Sequence, residues 1–234
     1  MRMDDKHLLV TPQSLIDQAQ ADYSIEAKAI QFGDQLIEYY QPSDPESILD
    51  DETLLSTHGE LDWQPYWAQT WDASIGMCQY LADTRTPQNL AGLQVLDLGC
   101  GIGLTSAYLA SQGAQLVCGD NAPPSLLFTE INTWPWHDAC QIQFVDWHTT
   151  ELDQSFDLIV GSDIVYDRKE VAPLDLFFRR HLRPEGHVLL SDPSRPMTRE
   201  FLQMFKNLDW KMHQRPVERE ETRNQTRVVE MALN

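Results

Sequence analysis

Short apolar runs alternate with stretches of helical spacing through the second half of the chain. Runs of about five apolar residues bounded by polar ones are typical of strands buried on both faces of a parallel sheet. Such runs occur at residues 94–98, 115–119, 141–145, 156–161 and 187–191. Helical spacing separates several of them, at residues 104–111, 124–132 and 169–182. This alternation predicts an α/β fold with a doubly wound, mostly parallel sheet and right-handed crossovers.

Both ends of the chain add further predicted elements to this α/β fold. Residues 210–214 and 226–233 predict an antiparallel hairpin that closes the sheet at seven strands. Residues 11–23 predict a short helix, and residues 26–40 predict a second hairpin that folds at Gly33. Both N-terminal elements are expected to form an extension rather than a catalytic unit.

The domain boundary is predicted near residue 60. Residues 42–60 are rich in Asp, Glu, Ser and Pro, which predicts an exposed loop. We therefore expect residues 1–60 to form an extension packed on the core, and residues 61–234 to form the main domain. An aromatic cluster opens that domain and leads into a helix predicted at residues 73–81. Its members are Trp63, Tyr66, Trp67 and Trp71.

Composition and charge narrow the class of protein and of partner. Hydrophobic residues make up 42% of the chain and charged residues 23%, as in an ordinary globular protein. Acidic residues number 36 against 17 basic ones, for a net charge of -19, which opposes binding to nucleic acid and favours a basic or neutral partner. The same acidity can also serve solubility alone. Because no signal peptide or membrane span is recognisable, we expect a cytoplasmic monomer that does not contact a membrane.

The sharpest local signal is a strand that leads into Gly99, Gly101 and Gly103 and then into a helix. Such a turn lets a ligand approach backbone N–H groups, but nicotinamide and flavin proteins use similar turns. Asp97 favours S-adenosylmethionine, because a carboxylate there attracts its cationic amino and sulfonium groups and would repel a dinucleotide pyrophosphate. The alternative role for Asp97 is to cap the helix.

The next two strands are followed by further candidate cofactor contacts. Asp120, with Asn121 beside it, stands where such folds place an acid that accepts hydrogen bonds from ribose hydroxyls. Asp146 is predicted to accept a hydrogen bond from the adenine amino group, and Trp147 to stack on the adenine ring. A core position is the alternative for Trp147. No nucleoside triphosphate is expected, because the chain lacks a G-x-x-x-x-G-K-[ST] turn, and no metal is expected, because it has neither an H-E-x-x-H motif nor clustered His and carboxylates.

With this turn and the segment at residues 161–167, the chain resembles the class I S-adenosylmethionine-dependent methyltransferases. More narrowly, it resembles the lysine methyltransferases of methyltransferase family 16. That family has a D-x-x-Y signature after its fourth strand, matched by Asp163 and Tyr166, and a tryptophan before its first strand, matched by Trp71. The resemblance implies that Trp71 and Ser162 contact the cofactor.

Two further stretches resemble the branch that methylates the electron transfer flavoprotein beta subunit. They are P-Y-W-A-Q-T-W at residues 65–71 and L-S-D-P-S-R-P at residues 190–196. The branch usually continues its tryptophan with Pro-Gly-Gly, whereas this chain has Asp72, Ala73 and Ser74. The likeness covers about residues 63–196, and it implies a protein substrate that bears an accessible lysine.

A lysine acceptor must lose its proton before it can attack a methyl group. Because the free pKa is about 10.4, the neutral amine costs about 4 to 5 kcal/mol at pH 7. We expect Asp163 and Tyr166 to orient the amine as catalytic residues, and Tyr66 and Trp67 to surround it and lower its pKa by desolvation. The alternatives are a helix cap for Asp163 and a core position for Tyr166. Arg195 is expected either to bind a substrate carboxylate or to pair with an acidic neighbour.

Two other functions remain open at this point. The same fold can methylate a small molecule, or it can bind the cofactor as an inactive interaction module. An open rim around Tyr166 would favour a protein acceptor, whereas a lid formed by residues 1–60 would favour a small one.

Overall fold

The computed structural model describes residues 10–49, 65–85, 87–195, 197–218 and 225–233. Its strands, in chain order, are β1 (Ile25–Phe32), β2 (Gln35–Pro42), β3 (Gln94–Leu98), β4 (Gln115–Asp120), β5 (Cys140–Phe144), β6 (Phe156–Ser162), β7 (Leu182–Asp192), β8 (Trp210–Val217) and β9 (Thr226–Leu233). Strands β1 and β2 pair with each other as an antiparallel hairpin. The other strands form one seven-stranded sheet.

The large sheet has the strand order β5-β4-β3-β6-β7-β9-β8. Strands β5, β4, β3, β6 and β7 run parallel, while β9 and β8 add an antiparallel pair at one edge. The predicted fold class is therefore confirmed. Strand order reverses beside β3, so the segments that follow β3, β4 and β6 meet at one edge of the sheet, which is where open α/β sheets hold their ligands.

Helices cover both faces of the sheet. They are α1 (Pro12–Asp22), α2 (Pro45–Leu49), α3 (Asp72–Thr84), α4 (Pro87–Leu90), α5 (Leu104–Ser111), α6 (Pro123–Thr133), α7 (Val171–His181) and α8 (Thr198–Asn207). Apolar residues of α3, α5 and α6 form one hydrophobic core, and those of α7 and α8 form another. Within the described ranges, no helix combines the length and the apolar character that crossing a membrane requires.

The N-terminal elements pack against α6, one of the helices that cover the main sheet. Helix α1 and strand β2 both contact α6. The side chain of Asn132, on α6, accepts a hydrogen bond from the backbone N–H of Tyr40 at 2.7 Å and donates to the carbonyl of the same residue at 2.8 Å. Its amide nitrogen also donates to the carbonyl of Ile102 at 2.7 Å, so one buried amide joins the hairpin to the glycine turn. The division of the chain at residue 60 falls outside the described residues and stays a prediction.

Several elements differ from the sequence-based expectation. Strand β7 begins at Leu182, earlier than expected, because Leu182 pairs with Phe156 of β6. The register then shifts over Pro184 and Gly186, residues that usually mark turns, and regular pairing resumes at His187, where the strand was expected to begin. Helix α8 was not predicted, and α2 occupies the start of the expected loop at residues 42–60. Strand β5 was expected to be buried, but it lies at the sheet edge.

Candidate active site

The glycine turn connects β3 to α5 in a tightly packed conformation with positive φ angles. Gly99, Gly101 and Gly103 all have positive φ angles, of 67°, 57° and 81°. A Cβ on Gly103 would lie 2.9 Å from the Cα of Thr129, so this glycine lets α5 pack closely on α6. Ser125 and Thr129 both donate hydrogen bonds to the carbonyl of Gly101, at 2.6 and 2.9 Å. The turn is thereby held in one shape.

Two buried carboxylates flank this turn. Asp97 is only 1% exposed and accepts a hydrogen bond from the Ser106 hydroxyl at 2.6 Å. Burial raises the pKa of Asp97 to about 7. Asp120 accepts hydrogen bonds from the backbone N–H groups of Gly101 and Ala122, both at 2.9 Å, and burial also raises its pKa. A cationic occupant would stabilise both carboxylates in their charged form.

A cavity of about 370 Å³ opens at the carboxyl ends of β3, β4 and β6. Its size lies in the range of small-molecule and cofactor sites. The structure brings most of the predicted site residues to its wall, namely Tyr66, Trp67, Trp71, Asp97, Gly99, Gly101, Asp120, Asn121, Trp147, Ser162, Asp163, Tyr166 and Arg195. Gly103 and Asp146 were also predicted to bind the cofactor, and neither lines this cavity.

Asp146 holds a turn in place instead of facing the cavity. Its carboxylate accepts hydrogen bonds from the backbone N–H of His148 at 2.9 Å and from the Thr149 hydroxyl at 3.1 Å. These local bonds are typical of Asp at a tight turn. The structure does not bring Asp146 to the wall of the cavity, and its hydrogen bond to an adenine amino group stays a prediction.

Trp147 lines the cavity and is fixed by a residue that sequence reasoning missed. Its indole N–H donates to the carboxylate of Glu170 at 2.7 Å, and the Nε2 of His148 lies 2.8 Å from the same oxygen. Glu170 is 5% exposed and stands just before α7, more than twenty residues along the chain. No local pattern in the sequence could indicate this contact.

Replacing Glu170 by Leu should weaken cofactor binding about tenfold, because the indole loses a charged hydrogen-bond acceptor and Trp147 is no longer held against the cavity. Isothermal titration with S-adenosylmethionine measures the effect. Glu170→Gln is the matched control, since it retains an acceptor oxygen and should lose less affinity. Unchanged affinity in Glu170→Leu would show that Trp147 is held by packing alone.

Ser162, at the end of β6, gives a direct test of whether the cavity suits a polar ligand. Its hydroxyl oxygen is buried and has no hydrogen-bond partner among the described residues. Such groups are rare in native proteins and are usually satisfied by a ligand or a water. Together with the two buried carboxylates, this donor fits a polar, positively charged nucleoside. Among the described residues, no three His, Cys, Asp or Glu side chains are grouped so as to hold a metal ion.

Asp163 and Arg195 form an ion pair at the mouth of the cavity. Both guanidinium NH groups donate to the carboxylate, and the Nη2 to Oδ2 distance is 2.8 Å. The Asp163 side chain is 8% exposed, and burial raises its pKa although Arg195 opposes the shift. Of the two roles expected for Arg195, the structure shows the ion pair with an acidic neighbour. Helix capping by Asp163 is not observed.

The aromatic rim of the cavity consists of Tyr66, Trp71 and Tyr166. The Tyr66 ring lies 5.9 Å from Tyr166 and 6.0 Å from Trp71, between centroids. Tyr66 and Tyr166 are 44% and 39% exposed, so neither is a core residue. Trp67 also lines the cavity, but it is 6% exposed and its ring packs against Tyr23 and Phe128, so its contact with the amine stays a prediction. Trp63 lies outside the described residues.

Comparison with known proteins agrees with this geometry. A family model described as lysine methyltransferase, methyltransferase family 16, matches residues 59–208. The electron transfer flavoprotein beta subunit lysine methyltransferases of Mus musculus and Xenopus laevis are 29% and 31% identical, each over 56% of this chain and over 52% and 53% of their own lengths. A ubiquinone biosynthesis O-methyltransferase of Sinorhizobium fredii is 28% identical over 54% of this chain and 52% of its own length.

Solved structures show the same fold at low sequence identity. A glycopeptide N-methyltransferase complexed with S-adenosyl-L-methionine superposes with a TM-score of 0.59 at 15% identity, covering 70% of this chain and 95% of its own. A TehB-like methyltransferase from Corynebacterium glutamicum superposes with a TM-score of 0.55 at 16% identity. The match covers 82% of this chain and 99% of the TehB-like chain. The chain spans about half the length of the curated relatives it matches. These similarities confirm the resemblance inferred from sequence.

Proposed function

Because the chain belongs to methyltransferase family 16, we propose that it transfers a methyl group from S-adenosylmethionine to a lysine side chain of a protein. S-adenosylmethionine is the cofactor of this family. Relatives named for the electron transfer flavoprotein beta subunit support a protein lysine as acceptor. We further propose a cytoplasmic, monomeric enzyme whose partner is that acceptor protein.

The observation that carries the proposal is the ion pair of Asp163 with Arg195 beside the exposed rings of Tyr66 and Tyr166. A lone carboxylate would favour the charged ammonium form of lysine and so oppose transfer. Arg195 offsets much of the charge of Asp163 and leaves its oxygens able to accept hydrogen bonds. The site can then orient an amine without strongly raising the amine pKa.

The aromatic rim lowers the free-energy cost of removing the proton from the lysine amine. Rings around the amine remove water from it, and loss of hydration lowers a lysine pKa. The same rings tolerate a methylated ammonium through their π faces. The exposure of Tyr66 and Tyr166 leaves the rim accessible to a side chain presented by another macromolecule.

The cofactor residues have separate tasks in this proposal. Asp97 attracts the cationic amino and sulfonium groups, and Asp120 accepts hydrogen bonds from the ribose hydroxyls. Trp147 stacks on the adenine ring, and the unpaired hydroxyl of Ser162 forms a hydrogen bond with the cofactor. When bound, S-adenosylmethionine supplies a methyl group on a sulfonium, which is a good leaving group. Correct placement of the amine is then the main task of the protein.

A small-molecule acceptor is the second candidate, favoured by the relatives from ubiquinone biosynthesis at 28% and 30% identity. Incubating the full chain with methyl-labelled S-adenosylmethionine and dialysed or whole cell extract separates the possibilities. We expect label in a protein band that converts to methylated lysine on hydrolysis. Label confined to the small-molecule fraction would show that the acceptor is a small molecule and not a protein. Cofactor binding without any transfer would indicate an inactive binding module.

A further inference from the structure

A second concavity, which we call the hairpin groove, lies beside the cofactor cavity. It has a volume of about 900 Å³. Its walls come from the β1–β2 hairpin, the start of α2, the start of α3 and residues 193–195. None of the methyltransferase roles described above uses the hairpin or α2.

The groove is continuous with the cavity at the place where the acceptor must enter. Trp71, Asp163 and Arg195 line both spaces. A chain lying in the groove can therefore present one side chain to Asp163 while its neighbours stay against the hairpin. This continuity separates the groove from an ordinary surface depression.

The hairpin side of the groove is tied to the cavity by a chain of hydrogen bonds. The hydroxyl of Thr70, which lines both spaces, donates to the side-chain carbonyl of Gln41 at 2.7 Å. The amide of Gln41 donates to Glu26 at 2.9 Å, and Glu26 also pairs with Lys28 at 2.8 Å. Gln41 is 3% exposed, so the groove has a preformed polar floor.

Opposite this floor, the groove offers a hydrogen-bond group with no partner. The hydroxyl oxygen of Ser194 is buried and unpaired among the described residues, and the residue has a positive φ of 59°. A positive φ is uncommon for a residue with a side chain. A polar ligand in the groove would satisfy the hydroxyl.

The charges of the groove favour a cationic occupant. Its cations are already matched within the described part of the chain, since Lys28 pairs with Glu26 and Arg195 with Asp163. Asp44 and Glu46, both exposed on the groove wall, have no cation of the groove opposite them. Two carboxylates without a matching cation attract Lys or Arg side chains of a partner.

We propose that the hairpin groove binds an extended segment of the acceptor protein that carries Lys or Arg next to the target lysine. The inference rests on the proposed function, because it assumes that the acceptor is a polypeptide. Asp44 and Glu46 select the basic flank, and the target lysine passes Trp71 to reach Asp163. The segment that leads from the hairpin into α2 is thus a specificity element.

Fluorescence anisotropy on the full chain at low salt, with S-adenosylhomocysteine present, tests the groove. The probes are two short labelled peptides with one central lysine, flanked by arginines in one and by glutamates in the other. The groove variant is Asp44→Asn with Glu46→Gln. The control variant, Asp153→Asn with Glu185→Gln, removes the same charge from exposed positions that line neither space.

We expect the wild type to prefer the arginine-flanked peptide, and the groove variant to bind it about fivefold more weakly than the control variant does. Equal affinities in the two variants, or a wild type that does not bind the arginine-flanked peptide, would overturn the inference. The extract assay with labelled donor, run on the same samples, keeps this outcome separate from the proposed function. Label in protein bands with equal peptide affinities rejects the groove alone, whereas label absent from protein rejects the proposed function.

Discussion

Replacing Asp163 by Ala should lower methyl transfer at least about a hundredfold and leave the dissociation constant of S-adenosylmethionine within a few fold. The carboxylate orients the acceptor amine in the proposed mechanism, and misplacing a reacting group by about 1 Å costs on the order of a hundredfold in rate. Asp163 lies at the mouth of the cavity beside Arg195, away from the buried acids Asp97 and Asp120. Labelled transfer into protein from extract and isothermal titration with the cofactor measure the two quantities.

Asp163→Asn provides the control for this experiment. Alanine leaves the guanidinium of Arg195 without its carboxylate, which can lower stability as well as activity. Asparagine keeps one acceptor oxygen for Arg195 and replaces the other by a donor, so its thermal midpoint should lie closer to that of the wild type than the midpoint of the alanine variant does. If the alanine variant retained near-normal turnover, Asp163 would have no place in the mechanism.

The fold was predictable because its signal is local and repeated. The inner parallel strands bury both faces and are therefore rich in apolar residues, as Val95, Leu96 and Leu98 show in β3. Strand β7 shows the limit of this reasoning. Pro184 and Gly186 indicate a turn, and the register with β6 does shift between Leu182 and His187, yet Leu182 still pairs with Phe156 and the strand begins there. Helix α8 was missed although its apolar residues Phe201 and Phe205 have helical spacing.

The candidate site was predictable where its residues follow directly from a strand end. The glycine turn, Asp97 and Asp120 are of this kind, because chain direction alone brings them to one edge of the sheet. The positions of the other site residues depend on tertiary contacts, which the sequence does not show. Trp67 and Tyr66 are adjacent in sequence, yet the 3-10 turn that contains both directs the first into the core and leaves the second exposed.

The pairing of Arg195 with Asp163 also changes the chemical argument made from sequence. Sequence reasoning treated Asp163 as a lone carboxylate and relied on aromatic desolvation alone to produce the neutral amine. With this ion pair, the proposed mechanism combines charge compensation by Arg195 with desolvation by the rings. An Arg195→Met variant would leave the carboxylate uncompensated, so the pH at which transfer reaches half its maximum should rise.

Binding of S-adenosylmethionine should weaken as the pH falls below 7, about tenfold for each unit. Burial raises the pKa of Asp97 to about 7, so the side chain of the free protein gains a proton over this range. A cationic ligand requires the charged carboxylate, and its binding therefore releases a proton below pH 7. The α-amino group of the ligand titrates only near pH 8, so the slope below pH 7 reports groups of the protein.

Asp97→Asn isolates the contribution of this one carboxylate. The amide cannot ionise and still accepts a hydrogen bond from Ser106, so the variant should fold while binding the cofactor at least about thirtyfold more weakly at pH 7.5. Its affinity should also change less with pH between 5.5 and 7 than that of the wild type. Any slope that remains would come from groups of the protein other than Asp97. Titration calorimetry in buffers of different ionisation enthalpy counts the released protons directly, and a wild-type affinity independent of pH over this range would contradict the electrostatic role assigned to Asp97.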